Sequence, residues 1–161
     1  MRIRSRDVPQ ADRLRDVIRL VDAVAAGGKT YQQMASAIGK VGRQGRYYRR
    51  AAEILGFIEK AGRNHAVVTL PGWTLVNSSG SERRRIIKDA VLKTEMFQQV
   101  VPFLMSRGTS GVSRIELRRY IEGITAAVGP SMMPRRVSSV IDWLTEIGQL
   151  ARRGNRYFIR D

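Results

Sequence analysis

Arg43, Arg46 and Arg50 recur at a spacing that puts them on one side of a helix, with Gln44 near its start, Tyr47 alongside and Arg49 on a flank. A guanidinium is a planar fork of donors that bonds bidentately to guanine O6 and N7 or to a phosphate, and a carboxamide pairs with adenine. This is chemistry for binding. Basic groups also gather at two tight turns: Arg63, Asn64 and His65 at one, and Arg152, Arg153, Asn155 and Arg156 at the other. Tips of this kind contact phosphates or enter the minor groove. The run Arg83-Arg84-Arg85 adds a further cationic segment. Solvated arginines on a basic protein are the plainer reading of each set.

Residue sets for bond-making chemistry are missing. There are no cysteines, which excludes a disulfide framework, a Cys-based zinc site and a thiol nucleophile. The single histidine, His65, has nothing nearby to orient it as a triad would, and no site needing two histidines is possible. Gly27-Gly28-Lys29-Thr30 resembles the end of a phosphate-binding loop, but Ala23 stands where the motif needs glycine, and a helix precedes it where a strand should. No acidic residue has a lysine two positions on, so the common nuclease pattern is absent, and the carboxylates are scattered as on solvated faces. No metal, heme, flavin or nucleotide cofactor is expected, nor a small-molecule ligand.

The charge balance points the same way. Among 161 residues, 29 are Lys or Arg and 14 are Asp or Glu, a formal net charge of +15. That excess exceeds what solubility requires and favours a polyanionic partner, nucleic acid being the commonest. Hydrophobic residues make up 43%, enough for a core. No apolar run approaches the roughly 18 residues of a membrane span. The start, Met1-Arg2-Ile3-Arg4-Ser5-Arg6, is basic but lacks the apolar stretch of a signal peptide. The expected setting is the cytoplasm, at the nucleoid when DNA is bound, with no membrane partner.

The elements that must carry these groups follow from periodicity. Leu14, Val17, Ile18, Val21 and Val24 predict a helix ended by Gly27-Gly28. Thr30 caps a second, with Tyr31, Met34, Ala35 and Ile38 on one face, stopped by Gly39. Gly42 and Gly45 interrupt the next stretch, before Tyr48, Ala51, Ala52 and Leu55 form a third stripe ended by Gly56. Phe57 to Lys60, a turn at Ala61 to Asn64, and Ala66 to Leu70 predict a β-hairpin closed by Pro71 and Gly72.

The second half repeats the order. Phe97, Val100, Val101 and Leu104 predict a helix, and Gly108 to Gly111 a loop. Ser113 with Glu116 is a capping box opening a helix buried through Leu117, Tyr120, Ile121 and Ile124. Gly129-Pro130 breaks the chain, Val137, Val140, Ile141 and Leu144 form a third stripe ended by Gly148, and Gln149 to Arg160 predict another hairpin. Between the halves, Ile86, Ile87, Ala90 and Val91 mark a linker helix.

Three helices followed by a hairpin is the order of a winged helix, a relative of the helix-turn-helix. The expected fold is therefore mainly α with small β-hairpins (α+β): a first winged helix over 1–76, a linker helix over 77–94 and a second winged helix over 95–161. In such a fold the third helix enters the major groove. The first module presents arginines there. In the second, only the N-terminal turn with Arg135, Arg136, Ser138 and Ser139 suits DNA, because Asp142 and Glu146 follow on the outward face. Trp143 is expected in the core or in a packing contact.

The residues also resemble a known family. "GRQGRYYRRAAEILGFIE" is similar to the Arg-Gln-Gly-x-Tyr-Tyr-x-x-Ala-x-x-Leu-Gly pattern of winged-helix domains in bacterial restriction-modification proteins, especially those appended to type II restriction endonucleases. Here it falls on Arg43, Gln44, Gly45, Tyr47, Tyr48, Ala51 or Ala52, Leu55 and Gly56. "LVNSSGSERRRIIKDAVLKTEMFQQVVPFL" resembles that family's linker, and "PRRVSSVIDWLTEIGQL" its second winged helix. The likeness runs from about Ala11 to Ile159 and implies target-site recognition or modification sensing in a bacterial defence system. Such proteins usually carry a nuclease domain, and none is visible here, so the resemblance implies a non-catalytic recognition domain whose cutting domain or subunit lies elsewhere, or a stand-alone binder. The expected function is double-stranded DNA binding, with a stand-alone transcription regulator or a protein-docking module as the alternatives.

Overall fold

The apolar stripe of residues 14–24 folds as expected. In a computed structural model of the chain, which describes residues 2–27, 30–126 and 132–160, α1 spans Leu14–Ala25 and buries Leu14, Val17, Ile18, Leu20, Val21 and Val24. Gly28 and Lys29 of the Gly27-Gly28-Lys29-Thr30 stretch, and the break at Gly129-Pro130, lie outside the described residues. The fold is α+β and mostly helical, with eight α-helices and two small antiparallel sheets among the described residues.

The chain divides into two compact units, and the division differs from the expected 1–76, 77–94 and 95–161. One unit is contiguous, Arg13–Ala90; the other is composite, Met1–Asp12 together with Val91–Asp161. Residues 2–12 thus pack with the C-terminal half.

In the contiguous unit, α1 is followed by α2 (Tyr31–Ala37) and α3 (Gly42–Ile54). Thr30 starts α2 with a full capping box: its hydroxyl accepts from Gln33 N and its own N–H donates to Gln33 Oε1. The helix α3 runs through Gly45, contrary to the expected interruption. Gly45 is buried where α2 and α3 touch, and a Cβ there would come 2.8 Å from Ala35 Cβ. The glycine permits close helix packing; it does not end the helix. Tyr48, Ala51, Ala52 and Leu55 are buried, and Tyr48 Oη accepts from Arg13 N.

Strands β1 (Ile58–Lys60) and β2 (Ala66–Val68) form the hairpin, with Ile58 opposite Val68 and Lys60 opposite Ala66. Thr30 pairs with His65 as an isolated antiparallel bridge. The hairpin was expected to close at Pro71-Gly72. Instead the helix α4 (Leu70–Val76) begins there. Thr69 caps it by accepting from Gly72 N, and Pro71 sits in the first turn, where its missing N–H costs nothing. The linker helix α5 (Gly80–Lys93) follows, with Val91 buried and Ile86, Ile87 and Ala90 half-buried.

In the composite unit, α6 (Glu95–Ser106) buries Met96, Phe97, Val100 and Leu104. A 3-10 turn, Gly108–Ser110, replaces the expected loop, and a short strand β3 (Val112–Ser113) precedes α7 (Arg114–Ile124). Ser113 and Glu116 make the expected capping box. Leu117 and Ile121 are buried, while Tyr120 and Ile124 are only half-buried. After α8 (Met133–Glu146) come β4 (Leu150–Arg153) and β5 (Arg156–Ile159), in a sheet of order β3-β5-β4. Residues 2–12 join this unit as an arm. Ile3 is fully buried, forms a parallel bridge with Thr125, donates to Ile124 O and accepts from Ala126 N. Trp143 is core: it stacks on Phe97 and donates its indole N–H to Ala11 O at 2.7 Å. Fully burying such a side chain contributes roughly 1.5–3 kcal/mol.

Candidate nucleic-acid interface

The first turns of α3 point their polar side chains outward because the opposite face is taken by Gly45, Tyr48, Ala51 and Ala52. Arg43, Gln44 and Arg46 are exposed, and Tyr47 is half-buried beside them. Arg49 and Arg50, expected on the same surface, are only partly available. Glu53 one turn on accepts from Arg49 at 3.1 Å and from Arg50 at 3.3 Å, and the Arg49 guanidinium lies over the Tyr31 ring at 4.2 Å. These pairs hold the two side chains along the helix, and partly exposed pairs of this kind are worth only about 0–1 kcal/mol.

The β1–β2 turn stands next to α2. Arg63 is exposed, and Asn64 takes a left-handed backbone (φ 61°) that asparagine tolerates. Asn64 Nδ2 donates to Gln32 Oε1 at 3.1 Å, so the turn is tied to α2. His65 is exposed and donates from Nδ1 to Arg63 O at 2.7 Å. Between α2, the start of α3 and this turn lies a groove of about 460 Å³, whose lining includes Lys40, Arg46 and Arg49 and no carboxylate.

On α5, Arg83 does not reach outward as expected. It pairs with Asp22 at 2.8 Å and donates to Leu75 O at 3.0 Å, fastening α5 to its own unit. Arg84 is exposed, and Arg85, also exposed, lies 3.7 Å from Glu82 and 3.5 Å from Asp89.

The composite unit overturns more of the expected site. Arg136 and Ser139 were placed on the DNA side of the last helix, and both are fully buried. The arm packs against the side of α8 that carries Arg136 and Trp143. Arg136 donates to Ser5 Oγ at 2.7 Å and to Ala126 O at 3.1 Å, and burial pushes its guanidinium below the usual arginine range. Ser139 Oγ and Arg136 Nε have no partner among the described residues. Arg135 is half-buried, and Ser138 accepts from Arg114 at 2.8 Å. Asp142 and Glu146 are exposed, as expected of that face.

At the β4–β5 turn, Arg152, Arg153 and Asn155 are exposed. Arg152 folds back onto Gly154 O at 2.6 Å, and Arg153 lies over Phe158. Arg156 is a structural residue. It donates to Ser110 O and Gly111 O and pairs with Glu116 at 3.3 Å. Hydrogen bonds with the Ser113 side chain and backbone, helped by Arg156 and Arg107, hold the Glu116 carboxyl below the usual carboxylate range.

The arm carries further exposed arginines that the sequence reading did not single out. Arg2, Arg4 and Arg6 are all exposed, while Ile3 between them points into the unit. That alternation was the available signal. Among the described residues no His, Asp and Glu side chains gather as metal ligands would, and no helix is long and apolar enough to cross a membrane.

No curated protein matches the chain. A family model described as a domain of unknown function, DUF7226, matches residues 16–152, a span that takes in α3, the β1–β2 turn and α8 but stops short of the β4–β5 turn. On that match, the chain belongs to the DUF7226 family.

Proposed function

We propose that the chain binds double-stranded DNA through two winged helices, with α3 in the major groove. The observation that carries this reading is the outward set Arg43, Gln44 and Arg46 on the first turns of α3, beside a groove lined by cations without carboxylates. Arg46 and Arg43 are suited to guanine or phosphate, and Gln44 to adenine. Arg63, Arg84, Arg152 and Arg153 supply contacts to the backbone that carry no sequence information. The contiguous unit is the reader, and the composite unit is an auxiliary clamp. The likeness of the α3 segment to restriction-modification winged helices suggests target recognition as the setting.

Selection of bound duplexes from a random pool, at about physiological salt and with and without methylated bases, tests this reading. A defined motif is expected, with Arg46→Ala weakening binding to it more than Arg152→Ala does. Equal losses from both variants on selected and random DNA would remove the directional reading helix.

A further inference from the structure

The composite unit holds a short arm in place with groups buried deep in its core. Ile3 is fully buried and bonded on both sides to the end of α7. A fully buried arginine, Arg136, reaches from the first turns of α8 to Ser5, and a fully buried tryptophan, Trp143, reaches Ala11. Burying a guanidinium whose partners among the described residues are a carbonyl and a hydroxyl, not a carboxylate, is costly. The side chains that this arm turns outward are Arg2, Arg4 and Arg6. Asp7, paired with Arg4 at 3.1 Å, offsets part of their charge. The arm passes the start of α8, and in a helix-turn-helix the start of the third helix is the end nearest DNA.

We infer that the arm is the composite unit's contact with the DNA backbone: Arg2, Arg4 and Arg6 bind phosphates where the fold has withdrawn Arg136 and Ser139. This rests on the DNA-binding reading and adds a surface to it. Arg136 is then a positioning residue, which sets where the arm lies and touches no phosphate itself.

The test is a salt titration of duplex binding by the full chain, followed by fluorescence anisotropy. Each phosphate contact contributes about 0.9 to the slope of log affinity against log salt. The triple variant Arg2→Gln, Arg4→Gln, Arg6→Gln is expected to lower that slope by roughly 2–3, and lysine at the same three positions to restore it. A control triple, Arg13→Gln, Arg15→Gln, Arg19→Gln, removes the same charge from exposed positions at and on α1 and is expected to change the slope by less than about 1. An unchanged slope in the arm variant overturns the inference while leaving DNA binding intact, and so does an equal loss in both triples. Failure of the wild-type chain to bind any duplex removes the DNA-binding reading itself. All six side chains are exposed, and circular dichroism melts check that each variant is folded.

Discussion

The helices α3 and α8 hold the same place in their units: each is third among the helices, follows a capped helix, and leads into a hairpin. Both bury one apolar stripe. Their early turns differ. In α3, only Gly45 is buried before Tyr48, and Arg43, Gln44 and Arg46 face outward. In α8, Met133 and Val137 are buried with the apolar stripe, and Arg136 and Ser139 are buried too, Arg136 and Trp143 on the side where the arm supplies Ser5 and Ala11. Repeating an order of elements does not repeat a surface. One added strap turns a helix that offers its side chains to solvent into one packed on two sides.

The sharpest test of the internal likeness lies in two glycines. A Cβ on Gly72 would run into the Phe57 carbonyl, and one on Gly111 into the Tyr157 carbonyl. Gly111 also holds φ 67°, ψ −168°, a region essentially reserved for glycine. Gly72→Ala and Gly111→Ala are each expected to cost about 3 kcal/mol, with the larger loss at Gly111. Urea unfolding measures the loss, and hydrogen exchange assigns it to the contiguous or the composite unit. A tolerated alanine at either site would show that the two hairpins are not held alike.

Arg46→Ala is expected to weaken specific duplex binding by about 1–3 kcal/mol, roughly fivefold to 150-fold, while Arg135→Ala at the start of α8 costs under about threefold. Titration of the selected duplex decides this, and equal losses would erase the contrast between reader and clamp. Smaller still is the gain from Asp142→Asn with Glu146→Gln. Removing two negative charges from α8 is expected to tighten binding to random duplex by about threefold at low salt.

The smallest effect separates the two capping boxes. Thr30 is paired with neutral Gln33, Ser113 with ionised Glu116. Because the Glu116 carboxyl is held below its ordinary range, its contribution is fully present above that range and fades as pH falls through the lowered folded value. Glu116→Gln should therefore be less stable than wild type at neutral pH, with the difference vanishing in acid. Gln33→Ala should cost the same at both. Thermal melts at neutral and acid pH show which cap titrates.

Much of this architecture was legible because helical periods are long enough to read: Tyr48, Ala51, Ala52 and Leu55 set the register of α3 and so the exposure of Arg43 and Arg46. Other features are hidden from periodicity. Pro71 and Gly72 look like breakers, yet proline suits the first turn of α4 and glycine suits its close contact with Phe57. Gly45 looks like an interruption until Ala35 is seen against it. Arg136 and Ser139 were assigned to solvent because a single stripe defines only one buried face. The second face depends on an arm too short for any period, whose partners lie more than a hundred residues along the chain.

That separation bears on the order in which the molecule is made. Arg13–Ala90 is continuous, so it can complete its contacts while the rest is still being synthesised at about 5–20 residues per second. The arm is made before the segments it docks on. Ser5 must wait for Arg136, 131 positions later, and Ala11 for Trp143, 132 positions later. Such long loops close slowly. A nascent chain stalled before α8 would carry a folded Arg13–Ala90 unit and an undocked, arginine-bearing arm.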